Sequence, residues 1–317
     1  MLRGGTNKML RDGTNKMFTL PSEILIEDEA LRDGLQNEKR TFSIDEKLHF
    51  VHGLEANGVR RIQVGSFVHP KWVPQMADTD ELFARLTAVP GIVHTALVLN
   101  LKGVERAMDA GARHLSMSIS ASKAHSLRNT NRTIEEAKRH IIPMIETALS
   151  NGIEVRAGIQ SALGCGFGGE VPIERICDIA ATYSALGVQE INIADTAGLG
   201  NPRSVFETVS RVRDVIDSHT AISLHLHDTR GLGLANMLAG LQAGVRIFDS
   251  TLGGVGGCPF IPAAAGNIAT EDVAYTMAAL GIRTGIDWQG LCGLALELEE
   301  LLGRTLPSRM AHIHKAA

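Results

Sequence analysis

Residues 186–202, LGVQEINIADTAGLGNP, contain the pattern that decides the fold. Leu186-Gly187 is typical of a helix that ends at a C-cap glycine and leads straight into a strand. A β-rich run, 190–195, follows and ends in a polar loop. Pro202 then stands where the first turn of a helix favours proline. The stretch therefore predicts one complete unit of strand, loop and helix.

The same unit recurs along the chain. β-rich runs are predicted at eight places, 24–29, 61–65, 92–99, 114–120, 154–160, 190–195, 222–227 and 246–250, with helical patterns between them. Eight such units predict an α/β fold, a (β/α)8 TIM barrel. A doubly wound sheet is the alternative, but it requires a Gly-rich dinucleotide turn after the first strand, and the sequence has none there.

The domain limits follow from the ends of this pattern. Residues 18–317 are predicted to be a single catalytic domain, with additional C-terminal helices from about residue 284. Residues 1–8 and 9–16, MLRGGTNK and MLRDGTNK, are a near-perfect tandem duplication. Their Gly, Asn and Thr content disfavours helix, so residues 1–17 are predicted to be a flexible leader outside the fold.

Composition excludes several classes of protein. The net charge of -4 argues against a dominant nucleic-acid surface. No apolar stretch approaches the length of a transmembrane helix, so no membrane partner is expected. None of the four cysteines lies in a CxxC pair, and the chain is long enough to bury a core without disulfides. We therefore expect a reduced, cytoplasmic protein.

In a TIM barrel the reacting groups lie where the strands end. The seventh run ends His225-Leu226-His227-Asp228. Residues two apart on a strand point to the same side, so both imidazoles should face the barrel mouth, where they could bind one cation. Histidines at strand ends also serve as ordinary hydrogen-bonding residues, so this pair alone leaves metal binding open.

Two oxygen donors are predicted at the same mouth. Asp33 follows the first run and stands beside Arg32, although an ordinary ion pair is the simpler interpretation of these two residues. Asn267 precedes a helix, where Asn is usually a turn or cap residue. Imidazole nitrogens combined with carboxylate and amide oxygens favour an open site for Mg²⁺ or Mn²⁺ over a closed structural zinc, though Zn²⁺ or Co²⁺ could substitute.

A glycine-rich loop follows the eighth run, where residues 253–258 read GGVGGC. Cysteine is usually a small buried residue, but such a loop is a poor place to bury a side chain. A thiol with an ordinary pKa near ~8.5 is suited to donate a proton near neutral pH. Cys258 is therefore a candidate general acid at the barrel mouth.

Long motifs carry a resemblance to the 3-hydroxy-3-methylglutaryl-CoA lyase family. They are 32–38 (RDGLQNE), 66–68 with 70–78 (SFV and PKWVPQMAD), and 256–272 (GGCPFIPAAAGNIATED), and the matches span about 27–285. The resemblance implies a metal-dependent TIM barrel. It also implies a CoA thioester substrate, cleaved to acetyl-CoA and acetoacetate in a retro-Claisen reaction.

The resemblance also assigns a metal site. The residues that match the family's metal ligands are Asp33, His225, His227 and Asn267. The metal would chelate the tertiary hydroxyl and the carboxylate of the substrate, as Lewis acid and template. A base at the site, Asp33 or His225, would take the hydroxyl proton.

Further residues match the family's substrate-binding and catalytic positions. Arg32 would stabilise charge on the thioester oxygen, and Cys258 would protonate the enolate carbon once its loop closes. Asp195 matches another active-site carboxylate. Asn129 and Asn131 lie where the family contacts substrate or CoA.

Four departures from the family pattern lie near the expected mouth. Gln63, at a substrate-binding position, stands where the family has Glu, and Arg230 stands where Tyr is usual. The lead-in 27–31, EDEAL, differs from the usual Val-Gly-Pro, and 122–125, SKAH, replaces a more acidic and aromatic stretch. Despite these changes we still expect the barrel fold and the metal. The identity of the substrate stays open. A lyase for a related 3-hydroxyacyl-CoA, such as a citramalyl-CoA-like thioester, is the alternative.

Two other functions remain open. A Claisen-type acyltransferase resembling 2-isopropylmalate synthase would share the Arg-Asp-Gly and HxH motifs, but that branch lacks the Cys258 loop and has a further C-terminal region. A barrel that binds metal without catalysis is the other, and Gln63 is the feature that favours it. The apolar C-terminal region, 291–302, also predicts a homo-oligomer, most simply a dimer.

Overall fold

The strands form a closed parallel barrel. The computed structural model describes residues 20–168, 171–257 and 266–316. Within these ranges the strands are β1 Leu25–Asp28, β2 Arg61–Ser66, β3 Val93–Leu97, β4 His114–Ser120, β5 Glu154–Gln160, β6 Glu190–Ala194, β7 Ala221–His225 and β8 Ile247–Ser250. They pair in chain order, and β1 closes on β8. The predicted (β/α)8 barrel is confirmed, since a doubly wound sheet would leave two open edges.

Helices surround the barrel and continue past it. They are α1 Ile44–Ala56, α2 Thr79–Arg85, α3 Leu101–Asp109, α4 Lys123–Thr130, α5 Ile134–Ser150, α6 Ile173–Ala185, α7 Pro202–Arg213, α8 Gly233–Gln242, α9 Thr270–Ala279, α10 Trp288–Leu302 and α11 Arg309–Ala316. The unit quoted above forms as its sequence predicts. Gly187 has a φ of 82°, and Pro202 begins α7 behind the Asn201 cap.

The additional C-terminal helices are present, and α10 packs against α1, α9 and α11. Its apolar side chains Leu291, Leu294 and Leu298 are buried within the chain. The apolar stripe that suggested a dimer is therefore already covered by the chain itself. The structure tests neither the dimer nor the predicted leader, because residues 1–17 lie outside the described residues.

The interior of the barrel is polar, whereas TIM-barrel interiors are usually filled by branched apolar side chains. Arg61 on β2 forms an ion pair with Glu190 on β6, and Arg156 on β5 reaches Glu27 on β1 at 2.5 Å. Because these pairs join strands that are not neighbours, their side chains must cross the inside of the barrel. The floor of the barrel mouth is thus a buried ionic network. Of the described helices, none is long and apolar enough to cross a membrane.

Candidate active site

Asp33, His225 and His227 form a group whose possible ligand atoms all lie within 4.8 Å of one another. Asp33 lies in a π-type turn, Ala30–Gly34, directly after β1. The Nε2 atoms of His225 and His227 are 3.1 Å apart. The two imidazoles, which the sequence predicts to face the barrel mouth, therefore lie side by side at the end of β7.

The predicted seventh strand ran two residues too far. β7 ends at His225, and His227 forms an antiparallel bridge with Asn267 instead. The reason is that the Asp228 N–H donates to the Gly266 carbonyl, so the chain leaves the barrel sheet. This bridge brings Asn267 to the group, where its Nδ2 donates to Asp33 Oδ2 at 2.7 Å. The four predicted ligand residues thus converge at one place.

The electrostatics of the group suit a bound cation. Burial opposes the charge on Asp33, but Arg32 and the two histidines hold its pKa well below the ordinary range. Burial also opposes charge on His225, yet its hydrogen bond to Asp249 and the nearby Glu29 raise its pKa to about 9. Burial and the neighbouring His225 lower the pKa of His227 to about 4. His227 Nδ1 is buried without a hydrogen-bond partner among the described residues.

Buried acidic groups outnumber buried cations around this group. In the part of the chain that the structure describes, five carboxylates face the guanidinium groups of Arg32, Arg61 and Arg156; the carboxylates belong to Glu27, Glu29, Asp33, Glu190 and Asp249. Because the pKa of His225 is raised to about 9, its imidazolium supplies a fourth positive charge. A divalent cation in place of that proton would fit the mixed nitrogen and oxygen donors. Glu29, His225 and Asp249 form a second possible group, but the Arg156 guanidinium already contacts both of its carboxylates.

Arg32 and Gln63 lie beside the group. The Arg32 guanidinium donates to Asp33 Oδ1 at 2.6 Å, to Glu29 Oε2 at 2.5 Å and to Gln63 Oε1. Gln63 is fully buried beneath Arg32. The structure therefore places Gln63 against Arg32, and its predicted contact with substrate stays a prediction.

Asp195 and Arg230 brace one loop at the barrel mouth. Asp195 is buried at the end of β6 and accepts hydrogen bonds from the N–H groups of Leu199 at 2.8 Å and Gly200 at 3.0 Å. Arg230 donates to the carbonyls of Ala197 and Gly198 in the same loop. Burial raises the pKa of Asp195 to about 6. The hydrogen bonds of Asp195 support a role in shaping the loop, and its catalytic role stays a prediction.

Asn129 and Asn131 line a cavity of about 730 Å³, and none of the four ligand residues is among its lining residues. Ser120 and Gln160, the last residues of β4 and β5, line the same cavity. Because parallel strands end at one face of the barrel, the cavity opens at the same mouth as the four ligand residues. The two asparagines are thus in the right region for a bound substrate, although they are not members of the ligand group.

The glycine-rich loop begins against the ligand group. Cys258 lies outside the described residues, so its position is not part of the structure. Gly256 is described and has a φ of 99°. A Cβ at Gly256 would lie 2.8 Å from Asn267 Nδ2, which shows that the loop base touches the site.

Replacing Gly256 with Ala should therefore impair the site. We expect the affinity of the group for Mn²⁺, used as the probe cation, to fall by about tenfold or more, since a small displacement in such a group is costly. Gly152→Ala is the matched control, because Gly152 also has a positive φ, 71°, but a Cβ there meets nothing within 4 Å. Equal effects of both variants on Mn²⁺ affinity would contradict this interpretation.

Glu271 holds the base of the same loop. Its carboxylate is fully buried and accepts the Gly253 N–H at 3.1 Å and 3.2 Å. Burial raises its pKa from 4.5 to about 8. The folded protein therefore retains a proton on Glu271 that the unfolded chain releases above pH 4.5.

The Glu271 pKa predicts a pH-dependent loss of stability. Between pH 4.5 and about 8 the unfolded state is favoured increasingly as pH rises, because it releases the proton that the folded state keeps. The contribution of protonated Glu271 to the free energy of unfolding is therefore complete below pH 4.5 and lost above 8. Glu271→Gln removes this dependence. The unfolding free energy of the wild type should fall relative to that of the variant by about 2–4 kcal/mol across this window. Urea unfolding at several pH values measures it, and a difference that does not change with pH would refute it.

Sequence reasoning missed the network beneath the site, in particular Glu29, Arg156 and Asp249. Asp249 supports His225 by a hydrogen bond to Nδ1 at 3.1 Å. Arg156 contacts both Glu29 and Asp249. The available signal was that charged residues alternate with apolar ones inside strands whose other face must be buried against helices.

Comparisons with known proteins agree with this geometry. The family model described as HMGL-like matches residues 23–296. A Pseudomonas aeruginosa protein named 3-hydroxy-3-isohexenylglutaryl-CoA/hydroxy-methylglutaryl-CoA lyase is 37% identical over 292 residues, which cover 92% of this chain and 97% of that protein. The crystal structure of a Bacillus subtilis HMG-CoA lyase matches with a TM-score of 0.90 and 33% identity, over 94% of this chain and 100% of its own. An HMG-CoA lyase from Acinetobacter baumannii, solved in complex with coenzyme A and 3-methylmalate, matches with a TM-score of 0.87 and 37% identity, over 92% and 95%.

Proposed function

The chain belongs to the HMGL-like family, and on that premise we propose that it is a divalent-metal-dependent carbon–carbon lyase. Its proposed reaction cleaves 3-hydroxy-3-methylglutaryl-CoA to acetyl-CoA and acetoacetate. The observation that carries the proposal is the convergence of Arg32 with four potential metal-ligand residues at one end of the barrel. Relatives named as lyases of this substrate support it.

The proposed metal residues are Asp33, His225, His227 and Asn267, with Mg²⁺ or Mn²⁺ as the expected ion. Bound there, the ion would supply Lewis acidity and a template for the hydroxyl and carboxylate of the substrate. The excess of buried carboxylates described above and the mixed nitrogen and oxygen donors support this assignment.

The chain's own residues would complete the reaction. Asp33, or His225 in its neutral form, takes the proton of the tertiary hydroxyl, whose oxygen becomes the ketone oxygen of acetoacetate. The electron pair of the broken carbon–carbon bond passes to the acetyl-CoA enolate. Arg32 stabilises the negative charge on the enolate oxygen. Cys258 then donates its proton to the enolate carbon, and its thiolate recovers a proton as the products leave.

The cavity at the ends of β4 and β5 is the proposed place for the CoA thioester, with Asn129 and Asn131 as its polar contacts. A lyase for a related 3-hydroxyacyl-CoA is the second candidate. Gln63 and Arg230 favour it, because both departures contact the site or its bracing loop. We propose a cytoplasmic location from the cysteine usage, and we retain a homodimer as a proposal.

Kinetics on several thioesters test the proposal. We expect Mg²⁺- or Mn²⁺-dependent release of acetyl-CoA with the highest kcat/KM on 3-hydroxy-3-methylglutaryl-CoA. A kcat/KM at least about tenfold higher on a thioester with a different 3-substituent would select the second candidate. Net condensation of acetyl-CoA with a 2-oxo acid, without cleavage, would instead indicate an acyltransferase.

A further inference from the structure

Three groups hold the guanidinium of Arg32, and the sequence motif contains only one of them. Asp33 and Glu29 each accept one N–H at 2.6 Å and 2.5 Å, and Gln63 Oε1 accepts the Nε–H. A guanidinium has five N–H donors. Among the described residues, two donors of Arg32 therefore remain for an oxygen of the substrate.

Glu29 binds the segment around Arg32 through both its backbone and its side chain. Its carbonyl accepts N–H groups from Arg32 at 3.1 Å, Asp33 at 2.8 Å and Gly34 at 3.2 Å, which forms the turn after β1. Its carboxylate then reaches Arg32 three residues later, and the side chain is 1% exposed. Arg156 holds the other carboxylate oxygen of Glu29 at 3.1 Å. Glu29 is thus fixed to the barrel and in turn fixes Arg32.

Gln63 is the side chain that fits beside Glu29. Its Nε2 donates to Glu29 Oε1 at 3.1 Å while its Oε1 accepts from Arg32. Glutamate, the usual family residue at this position, would place two carboxylates together in a buried site, where like charges disfavour ionisation of both.

We propose that Glu29 is the positioning residue for Arg32. The carboxylate at position 29 and the amide at position 63 form one complementary pair that holds the guanidinium. Glu29, directly after β1, supplies the carboxylate beside the Arg32 guanidinium, and Gln63 on β2 supplies a neutral amide that contacts both groups. This inference rests on the proposed function in one respect, that Arg32 acts on the thioester.

A double-mutant cycle tests the pair with Glu29→Gln, Gln63→Glu and the double exchange. Glu29→Gln should lower kcat by about 10²-fold, because Arg32 loses its orientation. KM should change by less than about threefold, as expected when an interaction made in the transition state is lost. Gln63→Glu should also lose activity, while the double exchange should return to within about fivefold of the wild type. Glu23→Gln, at an ion pair 70% exposed, is the matched control and should have no effect.

The Arg32 side-chain ¹H–¹⁵Nε signal gives a second readout that does not need turnover. The signal is assigned to Arg32 because it is missing from the spectrum of Arg32→Gln. We expect this signal to shift or broaden in Glu29→Gln and to return to its wild-type position in the double exchange. Full kcat in Glu29→Gln, or a double exchange no better than that variant, would overturn the proposal. If the wild type cleaves no thioester, the proposed function fails, and the signal in the four proteins still decides whether Glu29 positions Arg32.

Discussion

Arg32→Gln is expected to lower kcat about 10³-fold, the loss typical of removing a preorganised donor to a developing oxyanion. Arg32 is only 12% exposed and is held by Asp33 and Glu29, so its remaining donors are oriented before substrate arrives. A flexible surface arginine would first have to be ordered. Substrate affinity should change much less than kcat, because the charge on the thioester oxygen develops as the bond breaks.

Arg283→Gln is the control for Arg32→Gln. Arg283 forms a similar ion pair with Glu23 at 3.0 Å, but it is 72% exposed, and such pairs contribute little. Its replacement should leave kcat unchanged. Mn²⁺ binding should persist in Arg32→Gln, which separates loss of chemistry from loss of the metal. An Arg32→Gln enzyme within tenfold of the wild-type kcat would contradict the role assigned to Arg32.

His227→Ala is expected to abolish both metal binding and activity. The residue is buried, and its Nε2 is one of two imidazole nitrogens 3.1 Å apart. Removing one of four proposed ligands should weaken Mn²⁺ binding by more than the roughly 10- to 100-fold that changes outside the ligand set cause. Titration calorimetry with Mn²⁺ measures the affinity directly.

Two further variants calibrate the His227 result. Asp249→Asn changes the residue that holds His225 Nδ1 and should cause a smaller loss, about 10- to 100-fold in Mn²⁺ affinity. His49→Ala removes an exposed histidine paired with Glu297 and should cause none. Unchanged Mn²⁺ affinity in His227→Ala would mean that the metal binds elsewhere.

The barrel could be predicted from the sequence because its signals are local. A strand that leads into a polar loop, as at 190–195, depends on only a few neighbouring residues. The same holds for a C-cap glycine that ends a helix, as at Gly187. Strand ends were less predictable. β7 stops at His225 because of a hydrogen bond between Asp228 and Gly266, residues that lie far apart in the sequence.

The candidate site was predictable where it lies on strand ends and in long motifs. Asp33, His225, His227 and Asn267 were all placed at one mouth, and the structure brings them together. The sequence does not reveal the role of Glu29, because that role depends on Arg32 from the turn after β1 meeting Gln63 of β2 and Arg156 of β5. For the same reason Gln63, taken alone, indicates a loss of charge at the site, whereas the carboxylate of Glu29, directly after β1, lies beside it.

The apolar C-terminal region shows a similar limit. Its pattern predicts a buried helix face, and Leu291, Leu294 and Leu298 are indeed buried. A sequence pattern does not say which surface covers such a face. Here the covering surface belongs to the same chain, on α1 and α9.

The most direct test of the central claim measures acetyl-CoA release from 3-hydroxy-3-methylglutaryl-CoA. The wild type and Cys258→Ala are each assayed with and without Mg²⁺. The account predicts release that requires the metal and falls by about 10²-fold or more in the variant, as loss of a general acid would cause. Release that persists after chelation of the metal, or no release from folded, metal-loaded wild type, would contradict it.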